Sequence, residues 1–130
     1  MLDALLITGE RLTKLVSLTV AGVHTEQYGS RNLPWDERVA EEVGRACSAP
    51  VIQEAGRYRW FALHARWFVH EKYYKRDLDN LRLKPVLDNL TVACFWPDDH
   101  VEHVRAIYNE ACPAAPSESE RLEIAVYGVL

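Results

Sequence analysis

Two pairs of aspartates are the residues whose type and spacing most clearly suggest chemistry in this sequence. Asp77 and Asp79 are two residues apart, so both carboxylates point to the same face where the backbone is extended. Asp98 and Asp99 form a second acidic turn further along the chain. Two carboxylates about 4 Å apart repel each other by roughly 4 kcal/mol at an effective dielectric constant of about 20. A proton, a basic side chain or a metal ion must therefore compensate for each pair.

Convergence of these four carboxylates would create a metal site made only of oxygen ligands. Such a site favours a hard cation, Mg²⁺ or Mn²⁺, which binds through a few carboxylates together with a phosphate. The ion would polarise a phosphodiester and generate hydroxide from water, and Lys84 could stabilise the charge of the transition state. The sequence leaves this convergence open, because the predicted intervening helix of about ten residues separates its ends by about 15 Å.

Each of these residues also has a purely structural interpretation. Aspartates in turns commonly cap helices or lie in solvent. Lys84 and Asp88 have the spacing of a surface ion pair along a helix.

His100 and His103 follow the second acidic turn and could complete a mixed site for zinc or manganese, although their spacing matches no recognised zinc pattern.

The positive charge of the chain is concentrated in one segment. The protein has a formal net charge of −4, yet residues 57–84 contain eight basic and three acidic residues, mixed with aromatic side chains. Cations contact phosphates and aromatic rings stack on bases, so this segment suggests a nucleic-acid surface. A strand with one solvated face and one aromatic core face would have the same composition. The candidate DNA contacts in this segment are Arg66, Lys72, Lys75, Arg76 and Arg82.

Length and composition place the chain among ordinary globular proteins. Its 130 residues predict a single domain, in which residues 1–13 form a peripheral extension. A hydrophobic content of 48% and a charged content of 26% exclude a disordered, collagen-like or rod-like chain. The sequence has neither a membrane-spanning apolar run nor a signal peptide, so we expect a cytoplasmic protein. Three widely spaced cysteines predict packing residues or ordinary free thiols rather than a disulfide framework or a zinc site: Cys47, Cys94 and Cys112.

Hydrophobic periodicity predicts an α/β (α+β) fold, a small mixed sheet with two main helices in the order β-α-β-α-β-β. The first helix opens at Pro34–Asp36, with Asp36 as a possible N-cap, and ends before Pro50. The second begins at Lys84 or Pro85, because proline is tolerated in a first turn. The predicted strands cover residues 16–20, 57–70, 104–108 and 122–126, and a loop covers 111–119.

Several spaced motifs of the sequence together resemble the core of the RusA-type Holliday-junction endonucleases. That core runs D-x-D-N-L, a lysine, L-D-x-L and a D-D turn, and it ends in a D-x-E-I-like strand. The corresponding segments are Arg76–Leu81, Lys84–Leu90, Phe95–Asp99 and Arg121–Ile124. Residues 18–31 are similar to the first strand and basic loop of many members, so the resemblance extends over about residues 15–127.

The resemblance implies a small homodimer that binds branched DNA, such as a four-way junction, and cleaves it with Mg²⁺, for which Mn²⁺ could substitute. Each subunit of the two-fold dimer would cut one strand. The catalytic residues carried over are Asp77, Asp79, Asp99 and Lys84, with Asp98 as the alternative third metal ligand. The basic loop adds Arg31 to the DNA contacts. The alternatives are a non-catalytic module that binds DNA structure and a nuclease for flaps, single strands or RNA.

Overall fold

The structure is a computed structural model, and it describes residues 11–23, 33–70, 81–93, 95–96 and 103–129. Within these ranges the chain forms one four-stranded mixed sheet with three helices, which confirms the mixed α and β class. None of the described helices is long and apolar enough to cross a bilayer. The elements are β1 (Leu12–Ala21), α1 (Leu33–Ala46), α2 (Ala49–Ala55), β2 (Trp60–Val69), α3 (Lys84–Val92), β3 (Val104–Pro113) and β4 (Arg121–Val129).

The strand order in the sheet is β1-β4-β2-β3. β4 is antiparallel to both of its neighbours, β1 and β2, whereas β2 and β3 are parallel. A parallel pair needs a long crossover connection between its strands. Here that crossover contains α3, which therefore connects the central strand β2 to the edge strand β3 in the chain.

The helices cover one face of the sheet, and alternation along the strands separates the two faces. In β2, Leu63, Ala65 and Trp67 belong to a core cluster that also contains buried residues from each of the three helices. The intervening residues point to the opposite face, which we call the open face. A smaller cluster lies there, in which Trp60 packs against Ala62, Tyr127 and Val129. Trp67 is fully buried in the core cluster, whereas Trp60 is half-buried in the smaller cluster on the open face, so the two tryptophans face opposite sides of the sheet.

The structure differs from the predicted order by one additional short helix. Pro50 lies beyond the end of α1, as predicted, but it occupies the first turn of a further helix, α2, after the N-cap position Ser48. A proline is compatible with that position because its missing N–H would have no partner inside the helix. The predicted two-helix order is therefore wrong at this point.

Several predicted boundaries also change, among them the start of β2, which is Trp60 and not residue 57. α1 begins at Leu33, so Asp36 lies in its first turn and is not the N-cap. β3 continues to Pro113, so the predicted loop beginning at residue 111 is wrong there, because the parallel pairing extends to Val69 opposite Pro113. By contrast, α3 begins at Lys84 with Pro85 in its first turn, as predicted. β1 begins at Leu12, so the sheet already includes the last two residues of the predicted extension.

Gly128 in β4 is a position where the fold depends on the absence of a side chain. A Cβ atom there would lie 2.5 Å from both Cγ and Cδ1 of the Tyr58 ring. We expect Gly128→Ala to lower the free energy of unfolding by about 2 kcal/mol, because the ring and the strand must separate. Urea denaturation measures this change. Gly44→Ala is the control, since nothing lies within 4 Å of that added Cβ in α1; equal effects of the two changes would contradict the expected clash.

Candidate active site

The candidate site is organised around α3, because the two acidic pairs precede and follow this helix in the chain. The described ranges contain the residues that flank α3 on both sides. They also contain three of the predicted site residues, Lys84, Arg66 and Arg82. The other predicted residues lie outside the described residues: Asp77, Asp79, Asp98, Asp99, Arg31, Lys72, Lys75 and Arg76.

The segment before α3 is held against the first turn of α1. The Arg82 guanidinium donates from Nε to Oδ1 of Asp36 at 2.9 Å and from Nη2 to Oδ2 at 3.0 Å. Such a two-point pair between guanidinium and carboxylate fixes both groups in one plane. Only 12% of the Arg82 side chain and 15% of the Asp36 side chain are exposed. The indole of Trp35 also donates to the Arg82 carbonyl at 3.1 Å.

This arrangement gives Arg82 a positioning role that the sequence did not predict. Arg82 was predicted to contact DNA, and that assignment stays a prediction. What the structure adds is an ion pair between Arg82 and Asp36, residues 46 positions apart. Together with buried Leu81, this pair holds the chain immediately before Lys84. The only sequence signal for it was an acidic residue near the start of α1.

Lys84 is the first residue of α3 and stays accessible. Its side chain is 69% exposed, and its Nζ lies 3.5 Å from Oδ1 of Asp88, which is also half exposed. This is the ion pair that the spacing predicted. Exposed pairs of this kind contribute only a few tenths of a kcal/mol, so a phosphate could displace Asp88 from the ammonium at little cost.

The chain reverses direction at the end of α3. The N–H of Phe95 donates to the Leu90 carbonyl at 2.9 Å, the long backbone bond that closes a Schellman-type helix end. Phe95 and Trp96 are both buried, and each ring centroid lies 5.5 Å from that of Phe61. The Trp96 indole also donates back to Oγ1 of Thr91 at 2.8 Å. The segment that leads to the second acidic pair is thus anchored and turned back towards the helix.

Arg66 lies on the open face of the sheet, away from α3. Its Nη2 donates to Oε1 of Glu123 at 2.9 Å, and Arg121 donates from Nε to the other carboxylate oxygen at 2.8 Å. The hydrogen bond to Glu123 raises the pKa of Arg121. Phe68 packs below both guanidiniums. The basic segment is therefore divided between two faces, with Arg66 on one side of the sheet and α3 on the other.

The described ranges contain no group of three or more histidine, cysteine, aspartate or glutamate side chains arranged to hold a metal ion. His103 instead places Nδ1 3.3 Å from the Arg59 carbonyl, and His100 lies outside the described residues. Cys47 and Cys112 are free thiols, and burial raises the pKa of each. Cys47 packs against the main core cluster and fits the predicted packing role, whereas Cys112 belongs to neither hydrophobic cluster. Cys94 lies outside the described residues.

Comparisons with protein-family models and with curated proteins found no match to this chain. We therefore infer the function from the motif in the sequence and from the contacts around α3.

Proposed function

We propose that the protein is a metal-dependent, structure-specific endodeoxyribonuclease that cleaves four-way junctions or other branched DNA. The observation that carries this proposal is the ordered set Asp77, Asp79, Lys84, Asp98 and Asp99, arranged before, at the start of, and after α3. The proposal includes a homodimer in the cytoplasm, in which each subunit cuts one strand.

The buried residues at the two ends of α3 support this proposal. The first acidic pair closely precedes one of them in the chain, and the second pair closely follows the other. Asp79 is two residues from Leu81 and Asp99 is three residues from Trp96, and both anchors are buried. Extended chains of two and three residues reach about 7 Å and about 10 Å. The nine residues of α3 span about 13 Å. The pairs can therefore meet only if their connections run along α3, or if a partner subunit supplies one pair.

The reversal of the chain at Phe95 favours the first of these routes. The Schellman-type bond and the Trp96–Thr91 hydrogen bond direct the chain back towards the helix before the second acidic pair begins. At the other end, the pairing of Arg82 with Asp36 holds the segment that follows the first pair. Both connections therefore begin from fixed points.

The residue types fit a hard divalent cation. Asp77 and Asp79, together with Asp99 or Asp98, would supply carboxylate oxygens for Mg²⁺ or Mn²⁺. When bound, the ion supplies Lewis-acid activation of a phosphodiester and of the attacking water. Lys84 presents an exposed ammonium at the start of α3 and would contact the phosphate whose charge increases during cleavage. Contacts to the flanking DNA would come from Arg31, Lys72, Lys75 and Arg76.

Incubation of the purified protein with a labelled four-way junction tests the proposal. With Mg²⁺ or Mn²⁺ we expect paired nicks of the junction, and with EDTA we expect none. Duplex, flap, single-stranded and RNA substrates in the same assay define the substrate class. A salt-sensitive mobility shift without any product would contradict the nuclease and support a module that only binds DNA structure.

A further inference from the structure

The open face of the sheet contains a cavity that the proposed nuclease site does not use. Its volume is about 480 Å³, which is a typical size for a small-molecule site. Three adjacent strands, β1, β4 and β2, form its walls. The polar side chains that line it are Lys14, Ser17, Thr19, His64, Arg66, Glu123 and Tyr127.

His64 is the feature that distinguishes this cavity from an ordinary solvated strand surface. Only 4% of its surface is exposed, and it is the one buried polar residue among those that the structure describes. Its Nε2 lies 3.1 Å from Oε1 of Glu110, and the Tyr108 ring packs beside it at 5.1 Å. Within the described ranges Nδ1 has no hydrogen-bond partner. Buried polar nitrogens are normally satisfied by protein or water, so this atom is available to hydrogen-bond a ligand in the cavity.

The contact with Glu110 also determines what Nδ1 can do. A carboxylate accepts the Nε2 proton and so orients the ring. Nδ1 then accepts a hydrogen bond when the imidazole is neutral and donates one when it is protonated. His64 can therefore bind an anion that carries a proton as well as one that does not.

The rest of the lining is rich in donors. Lys14 has no ion-pair partner within the described ranges, and Ser17 and Thr19 present exposed hydroxyls on the same face of β1. Burial raises the pKa of the Tyr127 phenol, so this group keeps its proton and can donate.

The one carboxylate in the lining is already neutralised. Glu123 accepts hydrogen bonds from Arg66 at 2.9 Å and from Arg121 at 2.8 Å, one on each oxygen. Arg121 also pairs with Glu118 at 3.3 Å, so the two guanidiniums and these two carboxylates balance, and the positive charge of the lining comes from Lys14. An anion with several acceptor oxygens complements such a cavity better than a neutral or cationic molecule.

We propose that this cavity binds a phosphate group. A tetrahedral oxyanion can accept hydrogen bonds simultaneously from β1, β2 and β4, whose donors surround the cavity. The phosphate could belong to a small phosphorylated molecule or to a nucleic-acid strand. The site does not depend on the proposed nuclease activity, because the cavity lies on the face of the sheet opposite α3.

Titration of the full chain in EDTA tests the proposal without any contribution from metal or junction DNA. Inorganic phosphate, acetate and a dithymidine dinucleotide with one phosphodiester are compared by calorimetry. We expect saturable binding of inorganic phosphate, the dinucleotide or both, with acetate at least about tenfold weaker because it offers fewer acceptor oxygens. Nitrogen NMR of the histidine rings should show a shift of the His64 Nδ1 resonance on saturation.

Two variants identify the site. Lys14→Gln should weaken binding by about tenfold, because it removes a charge-assisted hydrogen bond. Thr19→Val removes one hydroxyl from an exposed strand position and should weaken phosphate binding several-fold. Arg57→Gln is the control, since it removes an equal charge at a side chain that is 74% exposed and paired with Glu54. Preferential binding of the dinucleotide would assign the site to a nucleic-acid backbone, and preferential binding of inorganic phosphate to a small molecule.

The proposal is overturned if neither phosphate compound binds saturably, or if both variants leave the affinity unchanged. It is also overturned if sedimentation shows a dimer and the open-face resonances change only with dimer dissociation, because a second copy would then cover the cavity. Loss of junction cleavage alone has no bearing on this site, since the titration contains no metal ion and no junction.

Discussion

Replacement of Asp79 by asparagine is expected to abolish junction cleavage while junction binding is retained or strengthened. The amide keeps the size of the side chain but removes a charge that a divalent cation requires. Cleavage should fall at least about 100-fold, because even residues that only orient a metal ligand are worth about 10- to 100-fold. Binding should not fall, since the change removes a negative charge near the DNA phosphates. Single-turnover cleavage and a mobility shift in EDTA measure the two effects separately.

Glu41→Gln is the matched control for this experiment. It also removes one carboxylate charge, but from an exposed position on α1 where 67% of the side chain is accessible. Cleavage by this variant should be unchanged. If Asp79→Asn cut junctions as well as the unmodified protein, the assignment of the acidic pair at 77 and 79 to metal binding would be wrong. This conclusion does not depend on whether the cavity on the open face binds phosphate.

Replacement of Arg82 by methionine is expected to destabilise the fold by about 4 kcal/mol, because it leaves the largely buried carboxylate of Asp36 without its guanidinium. The pair also connects α1 to the start of α3. The free energy of unfolding from urea denaturation measures this loss. Because α3 begins two residues later, the variant should also reduce cleavage at temperatures where the protein is still folded.

Two further variants distinguish a structural role of Arg82 from a DNA contact. Arg45→Met removes an arginine whose side chain is 64% exposed, so its loss should change stability by less than about 0.5 kcal/mol. The double variant Asp36→Asn/Arg82→Met should lose less than the sum of its two single changes, because the pair is lost only once. If Arg82→Met were as stable as the unmodified protein but bound junctions poorly, the predicted DNA contact would be correct.

The division of basic residues between two faces changes how the positive segment is interpreted. In the sequence, Arg66 and Arg82 belong to one run of cations. In the fold, Arg66 lies on the open face beside Glu123, and Arg82 is paired with Asp36 of α1. Within the described ranges, residues 57–84 therefore contain a solvated strand face, a structural ion pair and the accessible Lys84. The described cations of this segment do not form one continuous surface.

Local periodicity was sufficient for most of the elements. The 3.6-residue spacing of apolar residues placed α1 and α3, and the alternation around Leu122 and Ile124 placed β4, because these patterns reflect burial on one side of a single element. α2 was missed because it is short and its proline resembles a helix terminator. The continuation of β3 was missed because pairing with β2, and not its own pattern, keeps it in the sheet.

The sequence by itself determined the mixed α and β class and the residue types on which a metal-site hypothesis depends. Only the tertiary structure decided which charged groups pair: Arg82 with Asp36, Arg66 with Glu123, and His64 with Glu110. These partners are 46, 57 and 46 residues apart. Their contacts depend on strand register and on the packing of α1 against α3, which arise from the whole chain and from no local pattern.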